Sequence, residues 1–259
     1  WRRLYEGIEP LEPLDITFED YATERSRLAR SDAADADRAY WLTRVPDFPK
    51  APNLPLAADP ARLVNPAFAS KTMSVPAERW ATIKRRARDE KVTPSAALAA
   101  AYAEVIAKHG DGAPFCLNLP AFERLPVHPS IDRVVGPFSS TMLLPITIGS
   151  DVWAHARQIV TEINLALEHR WFGGIELARA LAQHRRSGAD PIAPVVFTAA
   201  LYGAELPEWG ETKALASQTP QVWLDCQVLE RDGALLVRWD YVEPLFDAAL
   251  KREIARITA

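Results

Sequence analysis

An aspartate flanked by an indole and a carboxamide, in the run Val222-Trp223-Leu224-Asp225-Cys226-Gln227-Val228, is the part of this sequence best suited to moving a proton. Period-two alternation places Val222, Leu224, Cys226 and Val228 on one face of a strand and Trp223, Asp225 and Gln227 on the other. A carboxyl beside a large aromatic ring suits a lined cavity, where partial loss of hydration lifts its pKa toward the range useful for general acid/base work. The same pattern also describes a strand face turned to water that carries a tryptophan, because most polar strand positions are solvated. A second polar group, Thr198, ends the apolar run Val195-Val196-Phe197. From spacing alone it reads as a β-branched strand residue with a satisfied hydroxyl.

Other chemistries find less support. His109, His128, His155, His169 and His184 show no HExxH or comparable ligand pair, and Cys116 and Cys226 lie far apart, so no zinc site is expected. His109 falls at a helix C-terminus, where the macrodipole alone gives it a role. No GxSxG nucleophile elbow, Rossmann glycine fingerprint or P-loop occurs. Ser139 and Ser140 follow Gly136 and Pro137 as turn residues would.

The elements that must position these groups can be read from patterning and caps. Helices are expected over 17–30 and 33–43, capped by Thr17 and Ser31. Pro46, Pro49, Pro52, Pro55 and Pro60 make 46–60 an extended, stiff and packed connector. A strand at 69–75 and a helix at 76–91 follow. Thr93 caps the next helix, with Pro94 in its first turn, an alanine-rich body open to close approach, and Gly110 just past its end. Strands are expected at 115–119, 141–148 and 195–201, and helices at 151–169 and 174–186. A hairpin joins 221–230 to 234–242 over Arg231-Asp232-Gly233, and a helix at 247–258 closes the chain. Alternating strands and helices argue for an α/β (α+β layered) fold.

The chain has 259 residues, enough for a substantial core. Its 30 basic and 34 acidic side chains give a net charge of −4, which gives no electrostatic reason to expect nucleic acid as a partner. The cluster Lys84, Arg85, Arg86 and Arg88 is interleaved with Glu78, Asp89 and Glu90, as on a solvated helix face. Two cysteines in apolar alternation are expected to be buried thiols rather than a disulfide framework. With no signal peptide and no membrane-spanning run, a cytoplasmic location without a membrane partner is expected. Residue 1 is Trp and the first methionine is Met73, so the sequence is expected to be a piece of a larger polypeptide or a chain freed of a tag.

The run from Ser217 to Val228, SQTPQVWLDCQV, resembles the QTPQVxLDHQ signature of heterocyclization domains of nonribosomal peptide synthetases. Further segments match that family in order. Tyr40 to Arg44 with Pro49 to Leu56 resembles YWxxR…LPxAPxLPL. Thr93 to Ala96 resembles TPSxA, and Phe115 to Leu119 with Arg124 to Pro126 resembles FxLNxxxFNRLP. Val135 to Ser140 resembles VGDFTS, and Pro194 to Leu201 resembles PVVFTSxL.

The resemblance covers nearly the whole chain. It implies the C-terminal lobe of a chloramphenicol-acetyltransferase-like condensation fold, with 1–60 as a helical lead-in and Pro-rich connector and 61–259 as the lobe. The N-terminal lobe, bearing DxxxxD, would lie upstream, and the lobe alone is expected to be inactive. Implied partners are that lobe, peptidyl or aryl carrier domains and an adenylation domain. The implied activity joins an acyl or peptidyl thioester to carrier-bound Cys, Ser or Thr and cyclodehydrates the product to a thiazoline or oxazoline. The rival expectations are a carrier-docking scaffold lobe and an amide-forming condensation lobe that never cyclizes. No cofactor is expected within the lobe, since carrier domains bring their own phosphopantetheine.

By position in the motifs, the resemblance makes Thr198 and Asp225 the cyclodehydration pair, with Gln227, Trp223, Asn118 and Ser140 against substrate. The sequence departs from the family at Cys226 for the histidine of LDHQ, Pro137 and Ser139 in GDFTS, Glu123 in FNR and Ala199 in FTS.

Overall fold

The computed structural model describes residues 5–7, 12–149, 151–188, 190–201, 219 and 221–257, with side chains in the last helix through Arg252. Ser217, Gln218 and Pro220 of the motif run lie outside the described residues, as does Thr258.

Six strands form one mixed sheet in the order β1-β6-β5-β4-β2-β3. They are β1 (Phe68–Val75), β2 (Phe115–Phe122), β3 (Ser139–Ile146), β4 (Val195–Ala200), β5 (Leu224–Arg231) and β6 (Ala234–Val242). The centre, β2-β4-β5, is parallel, while β3 joins β2 and β6 joins β5 and β1 antiparallel. The hairpin between β5 and β6 turns on Asp232 and Gly233, both at positive φ (51° and 74°), the conformation whose twist matches a two-residue hairpin. That turn fixes the register, with Arg231 opposite Ala234 and Asp225 opposite Asp240.

Seven helices are described: α1 (Phe18–Leu28), α2 (Asp32–Arg44), α3 (Ala77–Asp89), α4 (Pro94–His109), α5 (Val152–Glu168), α6 (Gly174–Arg185) and α7 (Ala248–Ile257). Their starts follow the expected caps. Thr17 and Asp20 form a reciprocal capping box, Ser31 accepts from Ala34 N, and Thr93 accepts from Ala96 N ahead of Pro94.

One sheet face carries α3 and α4. Trp80 of α3 is fully buried and donates to Glu230 at 2.7 Å, and Tyr102 of α4 packs on Phe197 and Trp239. Ala96, Ala97, Ala99, Ala100 and Ala103 are buried, and α5 lies against α4. At the β3 edge, α6 approaches so closely that a Cβ on Gly174 would sit 2.3 Å from the Thr141 carbonyl oxygen.

Several sequence expectations need adjustment, among them the strand expected at 141–148, which runs Ser139–Ile146. The connector is packed, with Phe48 and Leu54 buried in the main core, but it is not extended throughout, because 3₁₀ turns form at Val45–Asp47 and Pro60–Arg62. Strand β5 begins at Leu224 rather than residue 221, because Gln221 adopts positive φ (68°) in a turn. Strand β2 runs on to Phe122 because β3 pairs with it as far as Ser139.

A smaller core joins α1 to the 123–138 loop through Ile16, Tyr21, Leu125, Ile131, Val134 and Phe138. Arg124 stacks its guanidinium 3.8 Å from the Phe138 ring centre, and Tyr21 donates to the Glu123 carbonyl at 2.8 Å.

Candidate functional site

In-register residues on neighbouring strands point to the same side of a sheet, so the pairing of β4 with β5 decides which polar groups meet. Val196 lies beside Asp225 and Thr198 beside Gln227. Thr198 Oγ1 donates to Asp225 Oδ1 at 2.9 Å, and Gln227 Nε2 donates to Asp225 Oδ2 at 2.8 Å. Each carboxyl oxygen thus has its own donor. Asp225 is only 7% exposed. Burial pushes its carboxyl above the ordinary value, and the nearby Asp240 carboxylate adds to the rise. The hydrogen bonds from Gln227 and Thr198, and the Arg238 charge, pull the other way. The alternative of a solvated strand face therefore does not hold for Asp225. A buried carboxyl that is harder to ionise than usual, with a hydroxyl on one oxygen and an amide on the other, can take up and return a proton.

The other expected site residues are placed less closely. Asn118 pairs with Val196 across β2 and β4, so it shares this face but stands two strands from Asp225, roughly 10 Å away. It hydrogen-bonds the Thr141 hydroxyl and lines a hollow with Gly174, Gln221 and Val222. Trp223 does not join the group. It stands just before β5, its amide donates to the Pro194 carbonyl at 2.8 Å, and it lines a different hollow with Lys50, Leu56 and Arg185. Strand parity does not apply to it, because β5 begins at Leu224 and leaves Trp223 in the bend before the strand. Ser140 is out of phase with Thr141 along β3 and lines a third hollow with Arg124, Phe172 and Gly173.

Three residues that the sequence reading passed over belong with Asp225. Asp240 is opposite it in β6, Arg238 is opposite Gln227, and Ser70 of β1 is opposite Asp240. A signal for two of them was present, because counting back from the Asp232-Gly233 turn pairs 231 with 234, 227 with 238 and 225 with 240.

The departures from the motif pattern fall outside this cluster. Cys226 points to the helix-covered face and is buried, and burial drives its thiol well above the ordinary value. Cys116 is likewise buried and free, pushed up to about 12. Ala199 is exposed on the opposite side of β4 from Thr198, and Pro137 is exposed in the loop before β3. Glu123 pairs with Arg25 of α1 at 3.3 Å, so it fastens the lead-in helix to the end of β2. Among the described residues, no helix is long and apolar enough to cross a membrane.

The chain is similar to known proteins along almost its whole length. The condensation-domain family model matches residues 2–258. Phenyloxazoline synthase MbtB of Mycobacterium tuberculosis (strain ATCC 25618 / H37Rv) is 38% identical over 253 residues, covering 94% of this chain and 18% of the relative. Pyochelin synthetase PchF of Pseudomonas aeruginosa (strain UCBPP-PA14) is 36% identical over 257 residues, covering 95% of this chain and 14% of the relative. The chain therefore spans less than a fifth of either of these relatives. The solved EpoB NRPS cyclization-docking bidomain from Sorangium cellulosum superposes with a TM-score of 0.87 at 30% identity, over 99% of this chain and 53% of that one. The mixed sheet with its helices is thus the chloramphenicol-acetyltransferase-like fold of synthetase condensation and cyclization domains. With a family model spanning almost its full length and relatives above 30% identity along it, the chain belongs to the condensation-domain family of nonribosomal peptide synthetases.

Proposed function

We propose that this chain is the C-terminal lobe of a heterocyclization domain and that Asp225 performs the proton transfers of cyclodehydration. The observation that carries this reading is the Asp225 carboxyl, buried and raised in pKa, with Thr198 on one oxygen at 2.9 Å and Gln227 on the other at 2.8 Å. The names of the relatives support it, since one is a phenyloxazoline synthase and a solved neighbour is a cyclization domain. The N-terminal lobe, carrier domains and an adenylation domain are the partners this reading requires. The phosphopantetheine arms of the carriers deliver both substrates, and this lobe holds no cofactor of its own.

The chemistry runs in three steps. The amine of a carrier-bound Cys, Ser or Thr attacks the acyl thioester; a C–N bond forms, the C–S bond breaks and the carrier thiol leaves with a proton. The side-chain thiol or hydroxyl then adds to the new amide carbonyl; Asp225 as carboxylate takes its proton and passes it to the carbonyl oxygen, which becomes a hydroxyl, leaving Asp225 ionised again. Finally Asp225 takes the ring N–H proton and delivers it to that hydroxyl, so that water leaves and the C=N bond forms. Thr198 orients the carboxyl between the last two steps.

The test is Asp225→Asn in the intact domain, with linear and cyclized products followed separately on the carrier. Condensation depends mainly on positioning and is expected to survive, while cyclodehydration should fall by about 10²- to 10⁴-fold, so that linear product accumulates. Thr198→Ala should act in the same direction and more weakly. Equal loss of both steps would make Asp225 structural, and loss of neither would remove this function from the site.

A further inference from the structure

Asp225 shares its face with a second buried carboxylate, Asp240, which is 3% exposed. The Gln227 carboxamide sits between them, with Nε2 2.8 Å from Asp225 Oδ2 and 3.1 Å from Asp240 Oδ2. An amide nitrogen carries two hydrogens, so each carboxylate receives one. The reverse orientation would set the amide oxygen as an acceptor against acceptor oxygens on both sides, although Thr198 would still donate to Asp225, and Arg238 and Ser70 to Asp240. Asp240 is itself held from the far side. Arg238 Nε donates to both of its oxygens at 2.8 and 3.0 Å, the Ser70 hydroxyl donates to it as well, and Arg238 Nη2 steadies Ser70 at 2.8 Å. The chain of contacts crosses four strands, from β1 through β6 and β5 to β4.

We propose that Asp240, gripped by Arg238 and Ser70, is a positioning residue for cyclodehydration: it pins the Gln227 amide with one N–H on Asp225 and so fixes the orientation of the reacting carboxyl. The inference rests on the reading of Asp225 as the proton-transfer group. Asp240 does no proton transfer itself, and its effect passes through Gln227.

The experiment is Asp240→Asn in the intact domain, with condensation and cyclodehydration timed separately. The new side chain must offer its oxygen to Arg238, which leaves its NH₂ facing Gln227. The Gln227 amide then turns over and brings its oxygen against Asp225. Cyclodehydration is expected to slow about tenfold, with condensation changed by less than about twofold. Gln227→Leu should show a similar selective loss, and adding Asp240→Asn to it should slow the reaction by no more than about twofold further, because the path is already cut. Wild-type cyclodehydration in Asp240→Asn, equal slowing of both steps, or effects that multiply in the double variant would each overturn the proposal.

If Asp240→Asn fails to fold, Arg238→Lys decides, since a lysine ammonium lacks the rigid planar geometry that places Nε on Asp240 and Nη2 on Ser70 at once. It should slow cyclodehydration by about threefold in wild type and leave the Gln227→Leu background unchanged, and wild-type cyclization in Arg238→Lys would overturn the proposal. Asp225→Asn, run in parallel, separates the two readings. Normal cyclization there overturns both, whereas a block there with normal cyclization in Asp240→Asn overturns the positioning role alone.

Discussion

Asp225 and Cys226 are adjacent, yet they belong to differently built halves of the molecule. On the Cys226 side, β5 faces Phe197, Trp239, Tyr102 and Trp80, and the space is filled by apolar surface. Two polar atoms there, Tyr102 Oη and Trp239 Nε1, are buried with no hydrogen-bond partner among the described residues. On the Asp225 side, six polar side chains from four strands satisfy one another. One side tolerates orphaned donors because packing holds it together; the other permits none, since a carboxylate without its donors has no other means of staying buried. This difference explains how the histidine of the family motif can give way to Cys226 without touching the polar cluster: the change falls on the side where volume matters and charge does not.

The largest expected effect tests the packed side. Trp80→Ala should destabilise the intact domain by about 3–5 kcal/mol, measured by urea unfolding, because it empties a fully buried indole site and strips Glu230 of a donor. Among molecules that stay folded, the ratio of cyclized to linear product should not change. A changed ratio would mean that the two sides are coupled and would break the comparison.

A smaller effect sharpens the polar side. The Asp225 carboxyl is harder to ionise folded than unfolded, so the folded chain holds its proton to higher pH. Wild type therefore loses stability as pH rises from the ordinary carboxylate value through the raised folded one. An amide does not titrate. Asp225→Asn should thus gain in melting temperature relative to wild type as pH climbs through that window, while losing cyclodehydration. Parallel melting curves at all pH values would show that burial places no strain on this carboxyl.

The smallest effect returns to the packed side. Tyr102→Phe removes a buried hydroxyl that lacks a partner and should leave stability unchanged or raise it by up to about 1 kcal/mol in thermal or urea unfolding. A clear loss would reveal a partner for the hydroxyl and erase the contrast.

Much of this was legible in the sequence, for local reasons. Thr17, Ser31 and Thr93 mark their helices because a side-chain oxygen beside an unpaired N–H is a short-range event. The sidedness of Asp225 and Gln227 followed from alternation alone. The meeting of Thr198 with Asp225 did not, because β4 and β5 are parallel neighbours joined by a long connection, and no turn fixes their register. Only the motif resemblance brought those two together. Arg238 and Asp240 could have been found by counting from the Asp-Gly turn. Ser70 could not, being 170 residues from its partner with no local signal linking them.

That separation also sets when the polar cluster can exist. The first strand of the sheet has the last as its neighbour, so β1 leaves the ribosome long before β6 is made. At ordinary elongation rates of about 5–20 residues per second, the wait is roughly 10 to 30 s. Until then Ser70 has no carboxylate to hold and β1 has no strand to pair with. Closure of the sheet is a late, high-contact-order event, and the nascent chain has an open β edge to shield until the final hairpin arrives.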